Sequence, residues 1–223
     1  MKRRQPFGAL VVVMLGMAAL IFIPAWTLHY WQAWTFLAVY FFTSVAVGIY
    51  LVRKDPALLE RRMSGGPAAE NETSQKIIMS IAFAGFVGLL VVPALDHRFG
   101  WSHMSAAAAI AGDCLVALGW FLTFLVFKEN SFSSAIIEVA PDQKVVTTGP
   151  YAIVRHPMYA AGVILLAGFP IALGSWWGLL VLAAILPVLL WRLFDEEAFL
   201  AENLPGYVEY QAKVKHRLIP FIW

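Results

Sequence analysis

The residues most suited to chemistry lie close together in GPYAIVRHPMY, residues 149–159, inside an otherwise apolar chain. A residue before proline avoids the helical region, and proline itself suits the first position of a helix. We therefore predict that Arg155 and His156 lie on an extended approach and that Pro157 begins a helix. A helix N-terminus presents free N–H groups, and a guanidinium adds a planar set of donors. The segment thus predicts a small site for a carboxylate or phosphate.

A second polar cluster follows in WRLFDEEAFL, residues 191–200. Arg192 and Glu196 are four residues apart and share one helix face, while Glu197 and Tyr207 extend the polar surface. An ordinary ion pair at the membrane interface would also explain this spacing. The sharper interpretation is that two apolar helices between the clusters form a hairpin, which returns the second cluster to the level of the first. An anion site facing carboxylates across a cleft suits a zwitterion, such as the amino-acid end of a cofactor.

The segments that must position these clusters are strongly apolar. Hydrophobic residues make up 61% of the 223 residues and charged residues only 13%, whereas a soluble domain has about 25% charged residues. Such a chain would expose too much apolar surface in water, so we expect a membrane protein. The net charge of +2 gives no indication of nucleic acid. A single cysteine, Cys114, excludes an intrachain disulfide, and no cluster of Cys and His indicates a metal site.

Apolar segments of about 20 residues can cross a bilayer as helices. Four qualify before the first polar cluster, and two more follow it as a C-terminal hairpin whose first member is short enough to be tilted or partly re-entrant. The six segments are Phe7–Leu28, Trp31–Val52, Ile77–Leu95, Ser105–Phe127, Met158–Leu173 and Trp176–Phe194. None alternates as barrel strands do. The predicted fold is all-α, a polytopic membrane helical bundle with a cofactor cleft at its cytoplasmic face.

Lysine and arginine predict the orientation, because cytoplasmic segments carry an excess of both. With a cytoplasmic N-terminus, every basic residue except Arg98 lies on a cytoplasmic segment, including Lys2, Arg3 and Arg4. We therefore predict a multi-pass integral membrane protein with both termini in the cytoplasm, in the inner membrane if its source is bacterial. The polar connector of residues 53–76 is expected to be solvated or to lie at the headgroups. Asp113, in mid-span, is expected to cap a neighbouring polar group or to face a small wet cavity.

The segments QKVVTTGPYAIVRHPMY, RLFDEE and LPGYVEYQAKVKHRLIP together resemble the isoprenylcysteine carboxyl methyltransferase family of integral membrane enzymes. The resemblance covers about residues 130–221. It implies that S-adenosylmethionine is the cofactor, that residues 128–223 bind it, and that the spans of residues 1–127 lie on the acceptor side. The implied cofactor-binding residues are Gln143, Lys144, Val145, Val146, Tyr151, His156, Pro157, Met158, Tyr159, Glu196 and Glu197. The implied catalytic residues are Arg192, which would orient the methyl acceptor, and Arg155.

Within this set the resemblance also implies separate roles. Residues 143–146 would line the adenosine pocket, and Tyr151 would pack on the cofactor. Residues 156–159 would hold the methionine end, and Glu196 would take a polar group of the cofactor.

Methyl transfer from a sulfonium is an in-line displacement, in which an enzyme mainly aligns the reacting atoms and excludes water. A carboxylate acceptor is already nucleophilic, whereas an amine or thiol must first lose a proton. This favours an isoprenylcysteine-like carboxylate on a lipophilic small molecule or a membrane lipid. Three alternatives stay open: a phospholipid amine N-methyltransferase with the same cofactor, an NADPH-dependent membrane sterol reductase, and a non-enzymatic membrane protein. The sequence gives no indication of the oligomeric state.

Overall fold

The computed structural model describes residues 6–70 and 72–223. The basic residues at positions 2–4, which contribute to the predicted orientation, lie outside the described residues. Within the described part eight α-helices follow one another and no strand occurs. They are α1 Pro6–Ala25, α2 Trp31–Lys54, α3 Pro56–Met63, α4 Thr73–Phe99, α5 Ala106–Glu129, α6 Pro157–Ala172, α7 Trp177–Asn203 and α8 Tyr207–Lys213. The all-α prediction is confirmed.

Five of the helices, α1, α2, α4, α5 and α7, are long and apolar enough to cross a membrane. The first helix of the C-terminal hairpin, α6, has only 16 residues, as the sequence predicts. Apolar side chains also cover the outside of the bundle, for example Val12 at 70% exposure, Phe42 at 69% and Phe83 at 63%. Side chains of this kind suit helices that face lipid. The protein is a polytopic helical membrane bundle.

Local sequence explains where the helices near the site begin. Pro157 opens α6, as predicted, and His156 before it has the non-helical angles φ −120° and ψ 62°. Asp55 caps α3, since its side chain accepts a hydrogen bond from the Leu58 N–H. The next residue, Pro56, fills the first position of that helix, where no N–H is needed. The starts of α3 and α6 therefore fix the positions of the polar residues next to them.

The α5 and α6 helices pack with their backbones unusually close. A Cβ added to Gly112 would lie 2.1 Å from the backbone nitrogen of Ala172, and one added to Gly119 would lie 2.6 Å from the Cα of Leu165. Only glycine permits this approach, which is typical of helix pairs in lipid. The contact fixes the position of α6 and therefore of the residues at its N-terminus.

The bundle has two distinct ends. The site end is defined by the residues at which α2, α4, α5, α6 and α7 begin or end, which are Lys54, Thr73, Glu129, Pro157 and Asn203. The far end holds the α1–α2, α4–α5 and α6–α7 connections. Between the ends lies an apolar core in which, for example, the rings of Phe36 and Phe169 meet edge to face at 4.8 Å.

Basic residues follow the same division. Arg98, the one basic residue that the sequence assigns to the outside, lies at the far end against the rings of Trp26 and Phe99. The cytoplasmic location of the site end stays a prediction.

Candidate functional site

A cavity of about 770 Å³ opens in the site end. Residues of α1 to α7 line it together with the segment 130–146 and with Tyr207 and Tyr210 of α8. Cavities that hold small ligands typically measure about 300–1,000 Å³. The volume is therefore suited to a cofactor-sized ligand. The cavity is lined both by the membrane spans and by the polar motifs.

The cavity brings together almost all of the residues singled out in the sequence. Those lining it are Gln143, Lys144, Val145, Val146, Tyr151, Arg155, His156, Pro157, Met158, Tyr159, Arg192 and Glu196. The hairpin of α6 and α7 does return the second cluster to the first, because the Tyr159 hydroxyl donates to Glu196 Oε2 at 2.6 Å. Glu197 is not among the lining residues and is buried in the wall, only 6% exposed.

Glu197 holds three basic side chains together. Its Oε1 accepts from Arg155 Nε at 2.7 Å and lies 3.1 Å from His156 Nε2, while its Oε2 accepts from Arg217 Nε at 2.9 Å. Arg155 Nη1 also donates to the carbonyls of Val214 and Lys215. Much of the donor capacity of this guanidinium is therefore taken up by the protein. The anion-binding role of Arg155 and the cofactor contact of Glu197 stay predictions.

The C-terminal tail is tied to the approach that precedes α6. The backbone N–H groups of Arg155 and His156 donate to the carbonyls of His216 and Arg217, each at 2.9 Å. The Arg217 guanidinium also lies over the ring of Phe194, 5.4 Å from its centroid. The tail thus joins the two motif residues to α7, a role that nothing in the local sequence indicates.

Arg192, the predicted acceptor-orienting residue, is fixed by partners far away in the chain. Its Nη1 donates to Gln75 Oε1 at 2.8 Å, and its Nη2 donates to Glu70 Oε1 at 2.7 Å and to the Ala135 carbonyl at 3.2 Å. Glu70 and Gln75 are each 4% exposed. The expectation that the charges of the polar connector are solvated is wrong for Glu70. A buried guanidinium requires a counter-ion, and the connector supplies it.

The predicted adenosine side is built from a tight turn. Gln143 Oε1 accepts from the Ala140 N–H at 2.9 Å, and the Gln143 N–H donates to the Ala140 carbonyl at 3.1 Å. Asp142 within the turn adopts a φ of +60°. The side chain and backbone of Gln143 therefore close this turn, which carries Lys144 to Val146 along the cavity wall.

Tyr151 stands next to that strip of backbone. Its hydroxyl accepts from Asn130 Nδ2 at 2.9 Å, and its carbonyl accepts from the Tyr210 hydroxyl at 2.8 Å. Burial raises the pKa of Tyr151 to about 12, so its phenol stays protonated at neutral pH. Tyr151 is therefore held at its hydroxyl and at its backbone carbonyl, and its side chain lines the cavity.

Sequence reasoning missed Arg62, on the last turn of α3. It lines the cavity, and its Nη1 donates to the Ser134 carbonyl at 2.7 Å. The guanidinium carbon lies 5.3 Å from the centroid of the Phe127 ring. Its neighbour Arg61 donates instead to the Ser131 carbonyl and lines a separate outer groove. The sequence shows two adjacent arginines, but consecutive helical residues point in different directions and nothing in the pattern indicates which one faces inward.

Asp113 lies outside the cavity. It is 8% exposed in mid-α5, and its Oδ1 has no hydrogen-bond partner among the described residues. Its role stays a prediction.

A protein-family model described as phospholipid methyltransferase matches residues 107–205. A search of curated proteins gave no match. The matched part contains all but the first residue of α5, the whole of α6 and α7, and the polar segment between α5 and α6. Together these supply most of the polar cavity wall. The matched part is thus similar to a family of membrane methyltransferases, a group that generally uses S-adenosylmethionine.

Proposed function

We propose that the protein transfers a methyl group from S-adenosylmethionine to a lipophilic acceptor within the membrane. One observation carries this proposal: a single cavity is lined by polar motif residues and by apolar residues of the spans. Tyr159 and Glu196 face the same space as Val13, Val47 and Met79. A polar cofactor and an acceptor with a lipid tail could therefore meet there without either leaving its preferred surroundings.

The residues of the cavity wall are chemically suited to the cofactor. Glu196 offers a carboxylate for the ammonium of the methionine end, and the Tyr159 hydroxyl fixes the orientation of that carboxylate. Tyr151 offers an aromatic face, which attracts positive charge. When bound, S-adenosylmethionine supplies an electrophilic methyl group on a sulfonium. Residues 128–223 would then hold the cofactor, and residues 1–127 would supply most of the acceptor side.

The protein groups contribute mainly alignment. Arg192 lines the cavity with its guanidinium fixed by Glu70 and Gln75, which suits a residue that orients the acceptor. His156 is held by Glu197 at the N-terminus of α6, where it would fix the methionine end. Alignment of this kind, with exclusion of water, can supply about 7–11 kcal/mol of the barrier.

Two acceptors have specific support. The RHPMY and RLFDEE motifs favour an isoprenylcysteine-like carboxylate, which needs no base. The match to a phospholipid methyltransferase model favours a phospholipid amine. An amine must lose a proton before it attacks, and the carboxylates among the lining residues are Glu138 and Glu196.

The test is a transfer assay with purified protein in lipid nanodiscs and S-adenosylmethionine labelled in its methyl group. Two acceptors are supplied in parallel, a prenyl thioether carboxylic acid and a phospholipid with a primary amine headgroup. We expect label in the organic phase with one of them and saturation by S-adenosylmethionine. No label with either acceptor or with a total membrane lipid extract would reject the proposed function.

A further inference from the structure

Arg62 reaches the cavity from a helix that is held firmly in place. The α3 helix is capped by Asp55, whose Oδ1 accepts from the Leu58 N–H at 3.0 Å. Leu58 is fully buried in an apolar cluster that also contains Phe127. Next to the helix, a Cβ added to Gly65 would lie 2.4 Å from the Cβ of Ala135. The chain after α3 therefore packs tightly against Ala135, which lines the cavity. The guanidinium therefore stands on a rigid support.

The charge of Arg62 lacks a carboxylate partner at ion-pair distance among the described residues. Its polar contact is the Ser134 carbonyl, and its other close contact is the Phe127 ring. Arg192, in contrast, is paired directly with Glu70. Arg62 is half-buried, and a charge removed from water is costly unless it is paired, so Arg62 has spare capacity for a negative group in the cavity.

The surroundings of Arg62 increase that capacity. Burial and then the proximity of Arg192 lower the pKa of Arg62, while Tyr151, Glu196 and Tyr159 act in the opposite direction. Two guanidinium groups thus lie along one wall, with Glu196 already hydrogen-bonded to Tyr159. An anion bound between the two arginines would offset their repulsion.

The position of Arg62 favours the acceptor over the cofactor as its ligand. It follows the end of the α2 span by eight residues, which puts it at the level where a bilayer has its headgroups. Lining residues Leu59, Leu51 and Val47 continue from there along α3 and α2 towards the bilayer interior. An amphiphile with its tail along these side chains would place its headgroup beside Arg62. The predicted cofactor residues line the same cavity, so an acceptor held in this way would meet the cofactor close to Arg62.

Resting on the proposed function, we propose that Arg62 binds the anionic group of the methyl acceptor. The chemistry is that of a lipid with a negative headgroup, either a phosphodiester next to the methylated amine or a carboxylate. A guanidinium suits both, because its planar donors match two oxygens of either group. Arg62 is then a residue for acceptor recognition that the C-terminal motifs do not contain.

The experiment compares Arg62→Gln with Arg61→Gln, a matched change one residue away that faces the outer groove. Both variants are assayed with labelled S-adenosylmethionine, an amine phospholipid and a prenyl thioether acid. Loss of a hydrogen bond to a charged group should raise the KM for the acceptor by about 10- to 100-fold in Arg62→Gln. The KM for S-adenosylmethionine and the melting temperature should not change. Arg61→Gln should behave as wild type.

A neutral analogue makes the test specific for charge. For the accepted lipid, the phosphotriester or the primary amide should bind wild type and Arg62→Gln equally weakly, as competitors of transfer. If Arg62→Gln does not fold, Arg62→Lys and the wild-type preference for the anionic lipid over its neutral analogue answer the same question.

The outcomes separate the two proposals. Active wild type with an unchanged acceptor KM in Arg62→Gln would overturn the assignment alone. A change confined to the KM for S-adenosylmethionine would overturn it in favour of the cofactor carboxylate. Absence of transfer by wild type would reject the proposed function and this assignment together.

Discussion

The two ends of the bundle both bury polar side chains, but they use them differently. At the far end, Asp96 is 1% exposed and accepts from the Ser102 N–H and hydroxyl, each at 2.6 Å, and from the Ser175 hydroxyl at 2.5 Å. The Tyr30 hydroxyl donates to the Leu173 carbonyl at 2.5 Å. These groups satisfy one another and line neither of the cavities described above.

At the site end, the polar groups are arranged in two layers. Glu197 does not line the cavity and forms an inner layer with Arg155, His156 and Arg217, which share its carboxylate. Arg155 and His156 also reach the cavity surface. Arg62, Tyr159 and Glu196 form an outer layer that lines the cavity. The contrast teaches that burial of a polar residue does not by itself indicate a binding site. A satisfied cluster fixes helices, whereas a polar group beside a cavity retains capacity for a ligand.

The largest effect should come from breaking the inner layer. Glu197→Ala would leave Arg155, His156 and Arg217 without their shared carboxylate, and loss of one partner of a buried ion pair costs about 3–5 kcal/mol. We expect a large fall in melting temperature in detergent and little folded protein. Glu197→Gln keeps the shape and should recover only part of the loss. A melting temperature equal to wild type in Glu197→Ala would show that this layer does not brace the fold.

Disrupting the Asp96 cluster at the far end should reduce stability without changing methyl transfer. Asp96→Ala removes the acceptor of three hydrogen bonds, and a hydrogen bond to a charged group is worth about 1.5–3 kcal/mol. We expect a lower melting temperature, with methyl transfer per folded molecule unchanged. Asp96→Asn should be milder because it keeps one oxygen. Reduced transfer at a normal folded fraction would mean that the two ends are coupled.

Substitutions in the outer layer should lower the affinity for the cofactor and leave stability almost unchanged. Glu196→Ala should lower the affinity for S-adenosylmethionine by about 10- to 100-fold, the loss of one charged hydrogen bond. The melting temperature without ligand should move little, because the side chain lines a cavity. Tyr159→Phe, which removes only the hydroxyl that orients Glu196, should give a smaller loss of affinity. Parallel loss of stability and affinity in Glu196→Ala would place this carboxylate in the structural layer instead.

The smallest perturbation tests which face of the membrane each end occupies. Single cysteines at Ala140 and at the exposed His103, in a Cys114→Ala background, should change stability by no more than about 0.5 kcal/mol each. We expect an impermeant thiol reagent on intact cells to label position 103 and not position 140. Labelling of position 140 from outside would reverse the predicted orientation and remove the cofactor from its cytosolic source.

The helices and the two polar clusters could be predicted because their signals are local. Runs of apolar residues predict the spans, and the proline after His156 predicts the start of α6. The spacing of Arg192 and Glu196 predicts one helix face. Once the hairpin of α6 and α7 is predicted, the meeting of the two clusters follows from it.

The partners of those clusters could not be predicted, because they are distant in sequence. Glu70 pairs with Arg192 across 122 positions, and Arg155 meets the carbonyl of Val214 across 59. Such pairs depend on how apolar helices pack, and apolar helices look alike in sequence. Arg62 was missed for the same reason, since only the packing of α3 decides which of two neighbouring arginines faces the cavity.

Binding of S-adenosylmethionine at the site end can be measured most directly by isothermal titration calorimetry on detergent-solubilised protein. Wild type and Asp96→Asn should bind S-adenosylmethionine saturably with the same affinity, and Glu196→Ala should bind it about 10- to 100-fold more weakly. NADPH should give no saturable heat. Saturable binding of NADPH with none of S-adenosylmethionine, or equal binding of S-adenosylmethionine by all three proteins, would contradict the proposed site.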